Sequence, residues 1–447
     1  MTSDKKTLFL SHGSASHFLF SKTDIGRLRE VKKTEIIDAN EAVKSAFPDM
    51  RSGNDFIDYA NQQLGAIDQF SAMVIRLDQV TEDNDQAKLP EGNDGHVDVA
   101  GILDRLCRKE TGLWGTLEAG LFGSFLPARN GSDSVELARG LQTRLVEKTG
   151  KTVTIGIASF PTINYKPPEI INNARKALDH ATFFGANSLV AFDDVSLNIS
   201  GDKFYDKGEI QKAIDEFKLA LELDPNNVNV HNSLGVCYGL QSHYGLAIAA
   251  FQKAIAIDPG EYMALHNLGL VHLLIEQRDR ALGYFLDAYK INGNNFEVAF
   301  QTGKLYLETG NFKKSRTYLE RAAELEPESG QVYRYLGDCY AADQMPEAAI
   351  SAYKKAIKHN PHDASAMSAL GNIFDNQGEN PEITLMFLRE SVALSPENGL
   401  FHHRLGRHFS NQHRLNSALK EFVKAKSFGY DAAEDIKAIK NRKKAEK

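Results

Sequence analysis

Cysteine is scarce, with three among 447 residues. Three thiols cannot build a disulfide framework, and so low a count suits a reducing compartment. No apolar run approaches the ~20 residues that cross a bilayer. The stretch Thr7-Leu8-Phe9-Leu10 after Lys5 and Lys6 breaks at Ser11-His12-Gly13, too short for the core of a secretory signal. The expectation is a cytoplasmic protein. Basic charge is not in excess either: 52 Lys and Arg face 59 Asp and Glu, a net charge of −7, which argues against a whole-chain nucleic-acid binder. There is no Gly-X-Y period, and 42% hydrophobic with 25% charged residues excludes a mainly disordered chain.

What is present is a repeat. Gly201, Gly235, Gly269, Gly303, Gly337, Gly371 and Gly406 recur at intervals of 34, with a single 35 at the end. Three residues after each stands a ring: Phe204, Tyr238, His272, Tyr306, Tyr340, Phe374, Phe409. Small residues keep the same phase, as Ala213, Ala247, Ala281, Ser315, Ala349 and Ala418 do, and again as Ala220, Ala254, Ala288, Ala322, Ala356 and Ala425. Between those sets lie Phe217, Phe251, Phe285, Leu319, Tyr353 and Phe422. Small residues let two antiparallel helices approach, the large ones fill the space between them, and Pro225, Pro259, Pro327 and Pro361 stop each second helix. A single pair cannot bury its apolar face, so neighbours stack.

The period and the marker positions resemble the tetratricopeptide repeat. Seven units span about residues 194–430, with Gly293 in place of a proline and Ser315 in place of an alanine. Residues 431–447 are expected to hold a capping helix, Ala432 to Ile439, and a basic tail of Lys437, Lys440, Arg442, Lys443, Lys444 and Lys447. That tail reads first as solvated terminus and second as a nucleic-acid or membrane contact. The resemblance implies a groove lined by first helices that binds a protein or peptide. Projecting the register puts Asn198, Asp202, Asn229, Asn232, His266, Leu270, Phe300, Lys304, Arg334, Asp338, Asn372, Asp375, His403, Arg404 and Arg407 on it. Asparagines can bond a peptide backbone, and the cations can hold acidic groups. The Lys/Asn/Arg set with which some such modules clamp a terminal carboxylate is not found complete in consecutive units. His402, His403, His408 and His413 cluster late and read as surface histidines in preference to metal ligands, since His402 and His403 point apart. Cys237 and Cys339 share one repeat phase, that of a small packed residue.

Residues 51–193 alternate strand and helix signals. Phe70-Ser-Ala-Met-Val-Ile-Arg-Leu-Asp78 and Thr152-Val-Thr-Ile-Gly-Ile-Ala158 are core strands, Trp114 to Pro127 is a hairpin, and Ser188-Leu-Val-Ala-Phe192 a last strand. Helices are expected over Val97 to Arg108, Ser134 to Lys148 and Pro168 to Phe183. The order, with Thr152 to Pro161, Ala174-Arg-Lys-Ala-Leu-Asp-His-Ala181 and Gly185-Ala-Asn187, resembles the GGDEF domain of diguanylate cyclases over about 125 residues. The fold class is then an α/β sandwich followed by an all-α superhelical solenoid.

The resemblance also implies what this chain has lost. Family cyclases hold Mg²⁺ on an aspartate ending the first strand and on an acid in the hairpin turn. Here Arg76 takes the first position, with Asp78 two residues on, and Glu118-Ala119-Gly120-Leu121-Phe122 replaces the signature turn. The guanine-contacting aspartate aligns with Ala100, a substrate asparagine with Asn84, the phosphate-holding cations with Thr182 and Ala186, and the inhibitory motif with Lys109 to Gly112. Arg76 would repel Mg²⁺, or attract a phosphate in its place. The vestigial site is therefore Arg76, Asp78, Asn84, Glu118 and Gly120. No catalysis, metal or cofactor is expected. The expectation is a bacterial signalling adaptor whose second module docks or homodimerises; the alternative is a receptor for a guanine nucleotide or cyclic di-GMP. Residues 1–50 carry no signature beyond a helical tendency at Thr34 to Ala46, and Ser11 to Ser21 remains unassigned.

Overall fold

The structure, a computed structural model, describes residues 41–65, 67–78 and 95–445. Asn84, most of the 1–50 lead-in and its Ser11 to Ser21 stretch lie outside the described residues, as do Thr34 to Asn40 of the expected entry helix. A short helix covers 41–46. Then follow α1 (Gly53–Leu64), β1 (Phe70–Leu77), α2 (Gly95–Lys109), β2 (Leu113–Glu118), β3 (Leu121–Pro127), α3 (Gly131–Thr149), β4 (Val153–Phe160), α4 (Ile170–Ala181) and β5 (Leu189–Ala191).

The strands form one sheet in the order β2-β3-β1-β4-β5, antiparallel except for the parallel β4–β5 pair. That is a split β-α-β arrangement extended by one more crossover. Central β1 is apolar almost throughout because both its faces are covered. Met73 and Ile75 pack with Val99, Leu103, Leu141 and Leu145 from α2 and α3. Phe70, Ala72 and Val74 pack with Phe56, Ala60, Ile171 and Ala174 from α1 and α4. Gly156 of β4 sits under α4 with no room for a side chain: a Cβ there would meet Leu178 N at 2.1 Å and Ala174 O at 2.2 Å.

Seven helix pairs follow: α5 (Asp194–Asp206) with α6 (Ile210–Leu223), α7 (Val228–Leu240) with α8 (Tyr244–Ile257), α9 (Tyr262–Leu274) with α10 (Arg278–Ile291), α11 (Phe296–Glu308) with α12 (Phe312–Leu325), α13 (Gly330–Ala342) with α14 (Pro346–His359), α15 (Ala364–Gln377) with α16 (Pro381–Leu394), and α17 (Gly399–Asn411) with α18 (Leu415–Ser427). The repeat glycines act by close approach. A Cβ on Gly201, Gly235, Gly269 or Gly406 would lie 2.4, 2.5, 2.6 or 2.8 Å from the Phe217, Phe251, Phe285 or Phe422 ring of the second helix. Asp224, Asp258, Glu326 and Asn360 end their helices, the first, second and fourth of them in extended backbone. A proline follows each, and the residue before proline is pushed out of the helical region.

Two compact units divide the chain, one running to Asn267 and one from Leu268. The first takes two helix pairs together with the sheet and runs on through residues 193 and 194. The reason lies on α4: Lys176 Nζ pairs with Glu216 Oε2 of α6 at 2.7 Å, and Lys203 of α5 with Asp179 at 2.6 Å. In the second unit α19 (Ala433–Ala445) covers the last pair through Ala432 and Ile439. This helix is longer than expected and includes most of the basic tail. Arg442 Nη1 donates to Ser410 Oγ at 3.0 Å and Lys443 Nζ to Asn416 Oδ1 at 2.6 Å.

Candidate functional site

At the end of β1, Arg76 lies opposite Leu121 on one side and Thr154 on the other, and Leu121 in turn pairs with Glu118. Gly120 turns the hairpin at φ +74°, a conformation other residues adopt only with strain. The two carboxylates here are already used. Asp78 Oδ1 accepts from Thr154 Oγ1 at 2.6 Å and its Oδ2 from the Asn187 backbone N–H at 2.7 Å. Glu118 Oε1 accepts from Arg175 Nη1 of α4 at 2.6 Å. The Arg76 side chain makes no hydrogen bond or ion pair among the described residues. Ala100 is core, with no exposed surface. Asp78 thus ties β1 to β4 and to the turn before β5, and Asp78→Ala should cost about 1–3 kcal/mol in urea unfolding.

In the first unit the projected groove residues are buried more deeply than a register can tell. Asn198, Asn232 and His266 are 3, 1 and 1% exposed, and only Asn229 and Asp202 keep partial exposure. Asn232 Oδ1 accepts from Asn267 Nδ2 at 3.0 Å, bonding one first helix to the next. Asn198 Oδ1, Asn232 Nδ2 and Asp202 Oδ1 have no hydrogen-bond partner among the described residues.

Burial, and then the neighbouring Asp206, push the Asp202 carboxyl well above the ordinary range. Such a group binds its proton more tightly folded than unfolded. It weighs nothing on the fold below the ordinary carboxylate pKa of about 4, where both states are protonated, and destabilises as pH rises past it. Asp202→Asn should therefore raise the melting temperature at pH 7, with the gain shrinking as pH falls toward 4.

In the second unit Leu270 is completely buried and Phe300 is 4% exposed. Leu270 belongs to the core, not to a groove wall, because an aliphatic side chain between stacked helices is covered from both sides. The others form a polar and aromatic row. Phe300 stacks on Phe296 at 5.6 Å and meets Tyr335 edge-on at 5.4 Å. Lys304 Nζ lies 5.7 Å and the Arg334 guanidinium 4.1 Å from the Tyr335 ring centre. Arg334 also reaches Asp338 and Asp363, both at 3.4 Å, and Asp338 Oδ1 accepts from Tyr353 Oη at 2.7 Å. Asp375 accepts from His408 Nδ1 at 2.7 Å and Asn411 Nδ2 at 2.9 Å. His403 Nε2 meets Asp435 at 3.1 Å. Arg404 donates to Ser368, Arg407 donates to Asn376, and Asn372 is half-buried.

The register projection missed Tyr335, Tyr353, Asp363, Ser368 and Asn376. Tyr353 was visible as a core ring, but its hydroxyl contact to α13 was not. Two of the late histidines are not surface groups: His402 and His408 are each 2% exposed, whereas His413 is exposed. His402 Nδ1 faces Glu421 at 2.6 Å and its Nε2 faces the Pro396 carbonyl at 2.9 Å. Cys237 fills a packed slot, and burial pushes its thiol up to about 12, with Asp202 adding to the rise, far from a reactive thiolate.

Family models of the tetratricopeptide repeat match residues 201–242, 228–261, 300–357 and 345–382. These are tetratricopeptide repeats. Anaphase-promoting complex subunit 3 of Schizosaccharomyces pombe is 25% identical over 34% of this chain. The chain spans only 23% of that subunit's length. YrrB, described as a TPR protein with an unusual peptide-binding site, is 25% identical over 40% of this chain and 91% of its own, with a TM-score of 0.35. A tetratricopeptide repeat protein from Parabacteroides merdae is 18% identical over 55% of this chain and 96% of its own, with a TM-score of 0.41. Among the described residues, no helix is long and apolar enough to cross a membrane.

Proposed function

We propose that the chain is a non-catalytic signalling adaptor of the bacterial cytoplasm. Its repeats hold an extended segment or helix of a protein partner, and its sheet domain, a GGDEF-like module without catalytic equipment, gives a second docking or dimerisation surface. The observation that carries the reading is the row of cations and aromatic rings on α11, α13 and α17, since stacked repeats present such rows as binding surface. Support for a module without catalysis comes from Asp78 and Glu118, whose carboxylates are committed to Thr154, Asn187 and Arg175. The test is affinity capture from an extract of the source organism by the full chain and by a folded Lys304→Glu/Arg407→Glu variant. An unchanged set of bound proteins would sink the scaffold reading.

One observation favours a second reading. Arg76 is a cation without an ion pair among the described residues, which suits a guanine nucleotide or cyclic di-GMP as an unreacted ligand. Calorimetric titration with GTP and with cyclic di-GMP decides it; no heat from either removes the receptor.

A further inference from the structure

The helix α19 carries cations on two sides. Arg442 Nη1 donates to Ser410 Oγ at 3.0 Å, its Nη2 lies 3.4 Å from His413 Nδ1, and Lys443 Nζ donates to Asn416 Oδ1 at 2.6 Å. Those two cations fasten the helix to the last pair. Lys437, Lys440 and Lys444 are turned away from buried Ile439, at the i, i+3, i+7 spacing that shares one helix face. All three are exposed, and none makes a hydrogen bond or ion pair among the described residues. Lys440 stands 34 residues after Gly406, at the phase of the repeat glycines. In each of the seven pairs that glycine lies against a side chain of the second helix, whereas no described element covers Lys440.

A polar outer face on a terminal unit keeps a solenoid soluble, but mixed charges serve solubility equally well. Here five cations and no acid fall between Lys437 and Lys444, in a chain of net charge −7. The acids of the helix lie in its first turn, and Asp435 there is engaged by His403 at 3.1 Å. One sign of charge along about 10 Å of helix calls for an anionic surface. Like charge opposes the same face of a second copy. Single-stranded nucleic acid takes rings to stack on, and α19 has none. Duplex recognition favours the arginine fork, and the one arginine of α19 is turned to Ser410. Acidic lipid headgroups require only clustered cations near the surface. We infer that the lysine face of α19 seats this end of the repeats on a membrane surface rich in acidic phospholipid. The contact is electrostatic, because Ile436 and Ile439 pack against the last pair and leave no apolar side to enter the bilayer. It stands apart from the groove and from whatever partner the groove holds.

The test is flotation of the full chain with vesicles of phosphatidylcholine alone and with vesicles of equal parts phosphatidylcholine and phosphatidylglycerol. The chain should float only with the second, and salt that shortens the Debye length to about 3 Å should release it. Lys437→Gln/Lys440→Gln/Lys444→Gln should weaken partition about a hundredfold, each surface lysine contributing about fivefold. Its melting temperature should match the parent's, since none of the three holds a partner in the fold. Lys440→Gln alone, expected to cost about fivefold, keeps the test valid if the triple variant melts early. No flotation with the acidic vesicles, equal flotation with the neutral ones, or glutamine variants that float as the parent does overturn the inference. So does a DNA duplex or single-stranded RNA that strips the chain from the vesicles at equal phosphate concentration, which would assign the face to nucleic acid. None of these outcomes bears on the scaffold, which the capture experiment tests by itself.

Discussion

Gly156→Ala is expected to unfold the sheet domain, at a cost above about 3 kcal/mol. The added carbon would fall 2.1 Å from Leu178 N and 2.2 Å from Ala174 O. Both are backbone atoms, so no rotamer change relieves the clash and α4 must lift off β4. The same helix carries Arg175 to Glu118 and Lys176 to Glu216, and its displacement should loosen the first repeat as well. Trp114 is the single tryptophan and lies on β2, so its fluorescence in a urea titration reads the sheet alone. Gly140→Ala is the control. This glycine lies within α3 and a Cβ there meets nothing within 4 Å, so the change should gain about 0.5–1 kcal/mol. Equal midpoints for Gly156→Ala and the parent would contradict the packing described for β4 and α4.

The repeat could be read from the sequence because its constraint is local. Helix pair, close approach and proline stop all recur at fixed spacing, and each glycine of the series lies on the first helix of a pair. One positional constraint was half hidden. Seven residues after each repeat glycine the chain turns through positive φ, at Gly208, Gly310 and Gly378 but also at Ser242, Glu276, Gln344 and His413. Where the turn residue is not glycine, the alphabet gives no warning, and the strain is absorbed by the helices on either side.

Burial depth was the other hidden quantity. A register fixes the direction in which Asn198, Asn232 and Leu270 leave their helices, but how far the next helix covers them depends on packing along the array. Long-range pairs were hidden for the same reason. His402 meets Glu421, His408 meets Asp375, and Asp78 meets Thr154 and Asn187, partners between 19 and 109 residues apart. The sheet order needed only strand signals, whereas the engagement of Asp78 needed the folded end of β4.

The second large effect lies in the repeats, where the chain supplies its own comparison. Phe285 is completely buried against Gly269, and Phe285→Ala should cost about 3–5 kcal/mol, because the lost burial is joined by a cavity that stacked helices cannot close. The equivalent slot holds leucine in two other repeats, where Leu319 faces Gly303 and Leu388 faces Gly371 at 2.7 and 2.8 Å from the position of a Cβ. Phe285→Leu should therefore cost less than about 1.5 kcal/mol, since hydrophobic volume is largely kept. Each repeat contacts chiefly its neighbours, so the damage should be graded along the array. Hydrogen exchange on Phe285→Ala should lose protection first in α10, α11 and α12 and least in α17 and α18. Uniform loss would mean that this unit melts as one block, and an alanine variant as stable as the leucine one would mean that the ring does not hold the pair together.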